Sequence, residues 1–277
     1  MKREHQTLIL GATGKTGRRV ASRLQALGRP IRPGSRTASP PFDWTRESTW
    51  DACLEGVSAV YVAYPSDLPI PGSAETIASF VEQARRQGVR RVVLLSGRGE
   101  EEAQVWERAV QESDLDWTII QASWFHQNFT EGAFVDMVRA GRIDLPAGDA
   151  VEPFVDVDDI ADVAVAALTE PGHDGEVYEL TGPRLLSFAD VAAEISRAIG
   201  RPVAYEPISQ QAFTAGLVAA GLPSDVVWTM EYLFTKALDG RNAHLADGVQ
   251  RALGRPPKDF SAFAREVATT ETWRNVA

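Results

Sequence analysis

The sequence predicts a doubly wound α/β fold, a parallel sheet with helices on both faces, and three observations predict it. Short β-branched apolar runs without polar alternation, such as "TLIL" and "RRVVLLSG", read as strands buried on both faces. Stretches of helical period separate those runs, so each connection is a crossover between parallel strands. Three glycines three apart, Gly11, Gly14 and Gly17, stand where the first strand turns into the first helix.

The elements follow in order. "TLIL" is the first strand, and "KTGRRVASRLQALG" is a helix closed by Gly28. A second strand runs into "IRPGSRTASP", and a short third one is read at "PFDW". "SAVYVAYP" is a fourth strand ended by Pro65, followed by the helix "SAETIASFVEQARRQG", closed by Gly88. "RRVVLLSG" and "DWTIIQAS" supply the fifth and sixth strands around a helix beginning near "EEEAQ". Glu100, Glu101 and Glu102 fit its first turn, where acids complement the positive end of the helix dipole.

Past residue 122 the rhythm changes. "SWFHQNFTEGAFVDMVRAG" is an aromatic-rich helical stretch, and "VEPFVDVDDIADVAVAALTEPG" returns to strand and helix, with Asp158 as the helix cap. "EVYELTGP" reads as a further strand. After Pro183 come mostly helices, with "RPVAYEPI" as one strand among them. Residues 1–122 with 151–182 are expected to form the sheet domain. Residues 123–150 with 183–277 form a smaller, mainly helical lobe. Ligands of such sheets bind beyond the C-terminal ends of the strands, in the crevice between lobes.

With 277 residues and 44% hydrophobic content, the chain can bury a large core without disulfide or metal staples. Its longest apolar runs fall far short of the ~20 residues that span a bilayer, and "MKREHQ" lacks the apolar centre of a secretory signal. A cytoplasmic protein with no membrane partner is expected. The lone Cys53 excludes an internal disulfide and reads as a buried thiol. His5, His173 and His244 do not cluster with acids at ligand spacing, so no metal is expected. A net charge of −10 argues against nucleic acid. Residues 1–46 nevertheless hold ten Lys or Arg against Glu4 and Asp43, so the basic end coincides with the glycine motif. Arg18, Arg19 and Arg23 read as the solvated face of the first helix.

The glycines have three tasks: a tight turn, close approach of a pyrophosphate to a helix N-terminus, and close packing of helix on strand. Gly11, Ala12, Thr13, Gly14, Lys15, Thr16 and Gly17 therefore predict a Rossmann-like dinucleotide loop. An NAD enzyme usually places an acid at the end of the second strand, whereas a basic residue accommodates a 2′-phosphate. No acid lies between Glu4 and Asp43. Arg36 offers a fork to a phosphate, Ser35 a hydroxyl and Lys15 a second charge, so NADP(H) is expected. Asp43 is placed either to cap the adenine or to start the next helix.

At this point "LGATGKTG", "VYVAYP", "VRRVVLLSGRG", "LDWTIIQASWFHQNF", "EPFVDVDDIADVAVAAL", "YELTGP" and "RALGRPPKDFSAFARE" together resemble the NmrA-like branch of the atypical short-chain dehydrogenase/reductases. The similarity runs nearly end to end and is greatest to the subgroup holding ergot-alkaloid-type reductases and their bacterial relatives. It implies a Rossmann domain binding NADP(H) and a small C-terminal substrate lobe. The family holds quinone and imine-type reductases alongside non-catalytic redox sensors, so the resemblance leaves activity open.

One departure bears on catalysis. Ordinary short-chain dehydrogenases carry Tyr-x-x-x-Lys on the helix after the fifth strand region, and "EEEAQVWERAVQES" has neither residue. The literal match, Tyr232 and Lys236, falls in the C-terminal lobe, where Tyr232 reads as core and Lys236 as a solvated end. A hydride acceptor that needs little acid help is expected: a quinone, an iminium ion, an activated enone or an aromatic polyketide intermediate. The residues facing nicotinamide should come from the ends of strands four, five and six. These are Tyr64 and Pro65 with Ala63, Ser96 and Gly97, then Ala122, Ser123, Trp124, Phe125, His126 and Asn128. Of these, Tyr64, Ser96, Trp124 and His126 are the catalytic candidates. Trp124, Phe125, His126 and Asn128 would hold a flat conjugated substrate. His126 is either a proton donor or a plain hydrogen-bonding residue, and Phe129 is core. Two functions stay open: an NADPH-dependent reductase of a small conjugated molecule, as a possible homodimer, and a sensor that binds NADP(H) without turnover.

Overall fold

Strands and helices alternate in the computed structural model, which describes residues 6–65, 72–100, 103–132 and 134–274. The first half runs β1 (Gln6–Leu10), α1 (Lys15–Ala26), β2 (Ile31–Gly34), α2 (Trp50–Leu54), β3 (Val57–Val62), α3 (Ser73–Arg86), β4 (Arg91–Gly97), α4 (Ala103–Gln111) and β5 (Asp116–Ala122). There follow α5 (Val135–Ala140), β6 (Arg142–Leu145), β7 (Val151–Glu152), α6 (Val157–Thr169), β8 (Glu176–Leu180), β9 (Leu186–Ser187) and α7 (Phe188–Ile199). The chain ends with β10 (Ala204–Pro207), α8 (Gln210–Ala219), α9 (Ser224–Tyr232), α10 (Gly248–Leu253) and α11 (Phe260–Ala268).

Two compact units divide the chain. The first comprises Met1–Ala122, Val157–Leu180 and Asp247–Arg255. Its sheet has the order β2-β1-β3-β4-β5-β8, and every pairing in it is parallel. Leu8, Ile9, Leu10, Val60, Tyr61 and Val62 are wholly enclosed, as strands covered on both faces must be. From β1 the chain moves outward to β2 and then returns to β3 on the other side. The crossovers therefore part at the C-terminal end of β1, the switch point at which such sheets hold ligands.

The sheet lacks one expected strand. "PFDW" is not a strand: Phe42 and Trp44 pack against Trp50 and Phe80 instead, and Trp50 donates its indole N–H to the Asp43 carbonyl at 3.0 Å. The aromatic side chains gain more by burial here than the backbone would by extending an edge.

The unit boundary also falls elsewhere than expected at three places, one of them the short stretch 181–182, which lies in the second unit. Residues 151–156 lie in the second unit, where β7 pairs antiparallel with β9. Residues 247–255 join the first. A Cβ on Gly248 would stand 2.3 Å from the Glu179 carbonyl oxygen, so α10 starts hard against β8. Arg251 lies over the Tyr178 ring at 5.2 Å and pairs with Glu176.

Arg19 and Arg23 are not a solvated face. Arg23 reaches Asp158 and Asp162 at 2.7 Å each, and Arg19 reaches Asp158 at 3.2 Å. Arg255 joins from the other side, 2.6 Å from Asp159 and from Asp162. Asp158 is thus a partner of α1 inside the first turn of α6, and the residue before that helix is the fully buried Asp156. Glu100 precedes α4 rather than joining its first turn, and it is buried; Glu101 and Glu102 lie outside the described residues.

The second unit, Ser123–Asp156, Thr181–Ala246 and Pro256–Ala277, folds around Phe129, Phe154, Phe188 and Phe260, all essentially unexposed. Its other strand pair is β10 with β6, parallel, Tyr205 opposite Ile143. A capping box at Ser187 and Asp190 starts α7, satisfying backbone donors that the helix itself cannot. Residues 123–141 are less helical than expected, with a single 3-10 turn at His126–Phe129 before α5. Tyr232 is half-buried rather than core and stacks on the exposed Trp228 at 5.5 Å.

Arg23→Ala removes two partly exposed ion pairs between α1 and α6. Urea unfolding should show a loss of about 1 kcal/mol that shrinks in high salt.

Candidate dinucleotide site

The site is built on the turn out of β1. Gly11 has φ +73°, a left-handed conformation that side chains rarely adopt, and a Cβ there would also lie 3.1 Å from the Ala63 carbonyl oxygen at the end of β3. Gly14 donates its N–H to the Gly11 carbonyl at 2.8 Å and occupies the cap position of α1. Gly17 is the third residue of the helix, where a Cβ would be 2.2 Å from the Gly11 carbonyl oxygen and 3.1 Å from the Ala12 nitrogen. The third glycine therefore admits the loop backbone itself, where helix-on-strand packing was expected. No side chain caps α1, and no acid stands in its first turn. Its first N–H groups, at Lys15, Thr16 and Gly17, point out of a helix N-terminus free of negative charge, which is what a phosphate requires.

At the end of β2, Ser35 is half-buried and its hydroxyl lies 3.3 Å from that of Thr37. Arg36 is exposed, and its guanidinium makes no hydrogen bond or ion pair among the described residues. Asp43 caps no helix. Its carboxylate accepts from the Thr45 N–H at 2.9 Å and the Thr45 hydroxyl at 2.8 Å. Those bonds, with Arg46 and Arg36 nearby, hold it below the usual carboxylate range. The Asp43 charge thus belongs to a local turn facing two arginines.

Further along the strand ends, Tyr64 is buried against Trp44 and Trp106, with ring centroids 4.9 and 5.3 Å away. Burial raises its pKa, a hydrogen bond with Thr76 offsets part of that, and the phenol stays neutral. Pro65 is exposed. Ser96 is buried and gives its hydroxyl proton to Glu107 at 2.6 Å; Gln121 donates to both Glu107 oxygens at 2.9 Å. The Glu100 carboxylate folds over Gly97, where a Cβ would meet it at 2.3 Å. Ala122 closes β5 and accepts the Arg98 N–H at 3.2 Å.

The chain passes from Ala122 directly to Ser123, whose buried hydroxyl has no hydrogen-bond partner among the described residues. Within the second unit Trp124 is half-buried against Phe134, Phe188 and Phe234. Phe125 forms a bridge with Val155, and Asn128 is half-buried. His126 does not fit a proton donor to substrate. It is wholly enclosed, with Nε2 2.9 Å from the Phe154 carbonyl oxygen, Nδ1 3.5 Å from Asp156 and its ring against Phe260 and Phe263. Its place is in the packing of that unit.

Glu107, Gln121, Trp44 and Trp106 are the site neighbours that sequence reasoning missed. One signal was available: Ala103, Trp106, Glu107 and Val110 recur at helical spacing and are all buried, so periodicity alone sets Glu107 on the apolar face of α4.

The residues present fit a dinucleotide. Three glycines clear a backbone cradle at an uncapped helix N-terminus, and an exposed guanidinium stands past β2. Among the described residues no group of three or more His, Cys, Asp or Glu could hold a metal ion, and no helix is long and apolar enough to cross a membrane.

Comparison with known proteins agrees with that reading. The family model described as NAD(P)H-binding matches residues 11–171, and the one described as NmrA-like family matches residues 101–251. An NAD(P)H azoreductase of Xenophilus azovorans is 32% identical, over 93% of this chain and 96% of the relative. An agroclavine dehydrogenase of Claviceps fusiformis is 31% identical, over 94% and 96%. Among solved structures, the NADPH-dependent quinone oxidoreductase of Escherichia coli complexed with NADPH superposes with a TM-score of 0.76 at 21% identity, covering 95% of this chain and 99% of that one. The chain belongs to the NmrA-like family and carries its NAD(P)H-binding domain.

Gly17→Ala tests the cradle by its sign. In an ordinary helix interior alanine is better than glycine by about 1 kcal/mol, but here the added methyl meets the Gly11 carbonyl. The melting temperature should fall and NADPH affinity with it; a rise in melting temperature would mean that the close approach constrains nothing.

Proposed function

With NmrA-like membership as the premise, we propose that the protein is an NADPH-dependent reductase of a small, flat, conjugated acceptor such as a quinone, an iminium ion, an activated enone or an aromatic polyketide intermediate. The bound cofactor would supply the hydride; a neutral acceptor such as a quinone or enone would then take a proton from solvent, whereas an iminium ion needs none. The glycine cradle would hold the diphosphate, Arg36 with Lys15 and Ser35 the 2′-phosphate, and Tyr64, Ser96 and Ser123 the nicotinamide end. On the second unit Trp124, Phe125 and Asn128 are proposed as contacts of the acceptor.

One observation carries the choice of acceptor. Among the described residues of α4 there is neither a tyrosine nor a lysine, and the Ser96 hydroxyl proton is held by Glu107. A neutral, buried Tyr64 engaged with Thr76 is no activated phenol either. Simple ketones need a positioned acid at the developing alkoxide; acceptors that delocalise the incoming electron pair do not. The names of the azoreductase and agroclavine dehydrogenase relatives suit the same class.

A panel of quinones, iminium ions, enones and simple ketones, scored by NADPH absorbance, tests the reading. Turnover of conjugated acceptors but not ketones is expected, and a preference for ketones would overturn it. For the cofactor, Arg36→Asp should weaken NADPH by more than about tenfold, since a charge-assisted bond is worth roughly 1.5 to 3 kcal/mol, and leave NADH nearly unchanged. Titration calorimetry reads both affinities, and an unmutated protein that prefers NADH would remove the assignment.

A further inference from the structure

The apolar face of α4 carries one acid. Glu107 is 6% exposed, and among the described residues no lysine or arginine pairs with it. Its partners are neutral: the Ser96 hydroxyl at 2.6 Å on one oxygen, and the Gln121 amide at 2.9 Å on each. All three bonds are donated to Glu107, the pattern of an ionised carboxylate. Ser96 and Gln121 face each other in register, and each is the last residue but one of its strand, β4 and β5.

A carboxylate enclosed without a counter-cation is costly to keep. Tying α4 to the sheet does not require it, since a neutral amide or hydroxyl could bridge the same two side chains. What the carboxylate adds is negative charge behind Ser96, at the strand ends where the reading above puts the nicotinamide. That ring is neutral in the reduced cofactor and cationic once the hydride has left. Charge separated from it by one or two side chains in a water-poor setting acts more strongly than across solvent.

Resting on that reading, we propose that Glu107 supplies the missing counter-charge: acting through Ser96 and Gln121, its carboxylate favours the oxidised over the reduced nicotinamide and so strengthens the bound cofactor as a hydride donor. Glu107 is a positioning residue and touches neither cofactor nor acceptor. The role differs from a purely mechanical one in its signature. Disordering the site weakens both cofactor forms, whereas removing the charge weakens NADP+ selectively.

The test is the ratio of dissociation constants for NADP+ and NADPH, measured by calorimetry on the whole protein. Glu107→Gln should raise that ratio roughly threefold to tenfold, the effect of one charge at partly screened range. Gln121→Arg leaves the carboxylate in place and lays a bidentate cation on it, so the ratio should move the same way. The exchange Glu107→Gln with Gln121→Glu returns a carboxylate to the pair and should restore it. If Glu107→Gln fails to fold, Gln121→Arg decides alone. A ratio unchanged within about twofold, or equal weakening of both forms, overturns the proposal. An unmutated protein that binds neither form overturns the NADP(H) reading itself, and this inference with it.

Discussion

The distance between the first turn of α1 and the backbone of the turn out of β1 is the constraint on which the rest of the site depends. A side chain at Gly17 would lie 2.2 Å from the Gly11 carbonyl oxygen, so the helix can begin where it does only because that position is bare. Gly11 at φ +73° makes the turn and Gly14 fixes it with a backbone bond. With these three residues set, the N–H groups at the start of α1 are left open to an anion.

Charge in the first unit divides into structural and available groups. Arg19 and Arg23 are engaged by the aspartates of α6, which take Arg255 on their other side. Arg32 donates to the carbonyl oxygens of Cys53 and Glu55 at 2.7 and 2.8 Å. Part of the basic excess of the N-terminal segment is therefore used in holding helices and loops in place. Arg36 is exposed, and its guanidinium makes no hydrogen bond or ion pair among the described residues. Glu107 is its counterpart of opposite sign, a buried acid with only neutral partners. Arg36 lies two residues past β2, and Glu107 lies on α4 against Ser96 and Gln121, each one residue short of its strand's end.

Much of this was legible in the sequence, because the signals were local. Apolar runs and glycine breaks foretold β1, β3, β4 and β5, and the spacing of three glycines foretold the cradle. What was not legible depended on partners distant in the chain. Asp158 read as a cap since its arginines lie more than a hundred residues away. Residues 247–255 looked like part of the helical lobe until Gly248 was seen to admit the Glu179 carbonyl. His126 read as a candidate donor because its enclosure by Phe154, Phe260 and Phe263 leaves no trace in its immediate neighbours. "PFDW" carried a strand's composition, yet its aromatic rings found better burial against Trp50 and Phe80.

The central claim is that this chain moves a hydride from NADPH to a conjugated acceptor. Isotope transfer addresses it most directly: purified protein is loaded with NADPH deuterated at either face of C4 and mixed with a quinone or iminium acceptor, and the products are read by mass spectrometry. The account predicts deuterium in the reduced acceptor from one labelled face only, with equimolar loss of NADPH. Cofactor that stays bound and fully reduced before every acceptor of that class would contradict it.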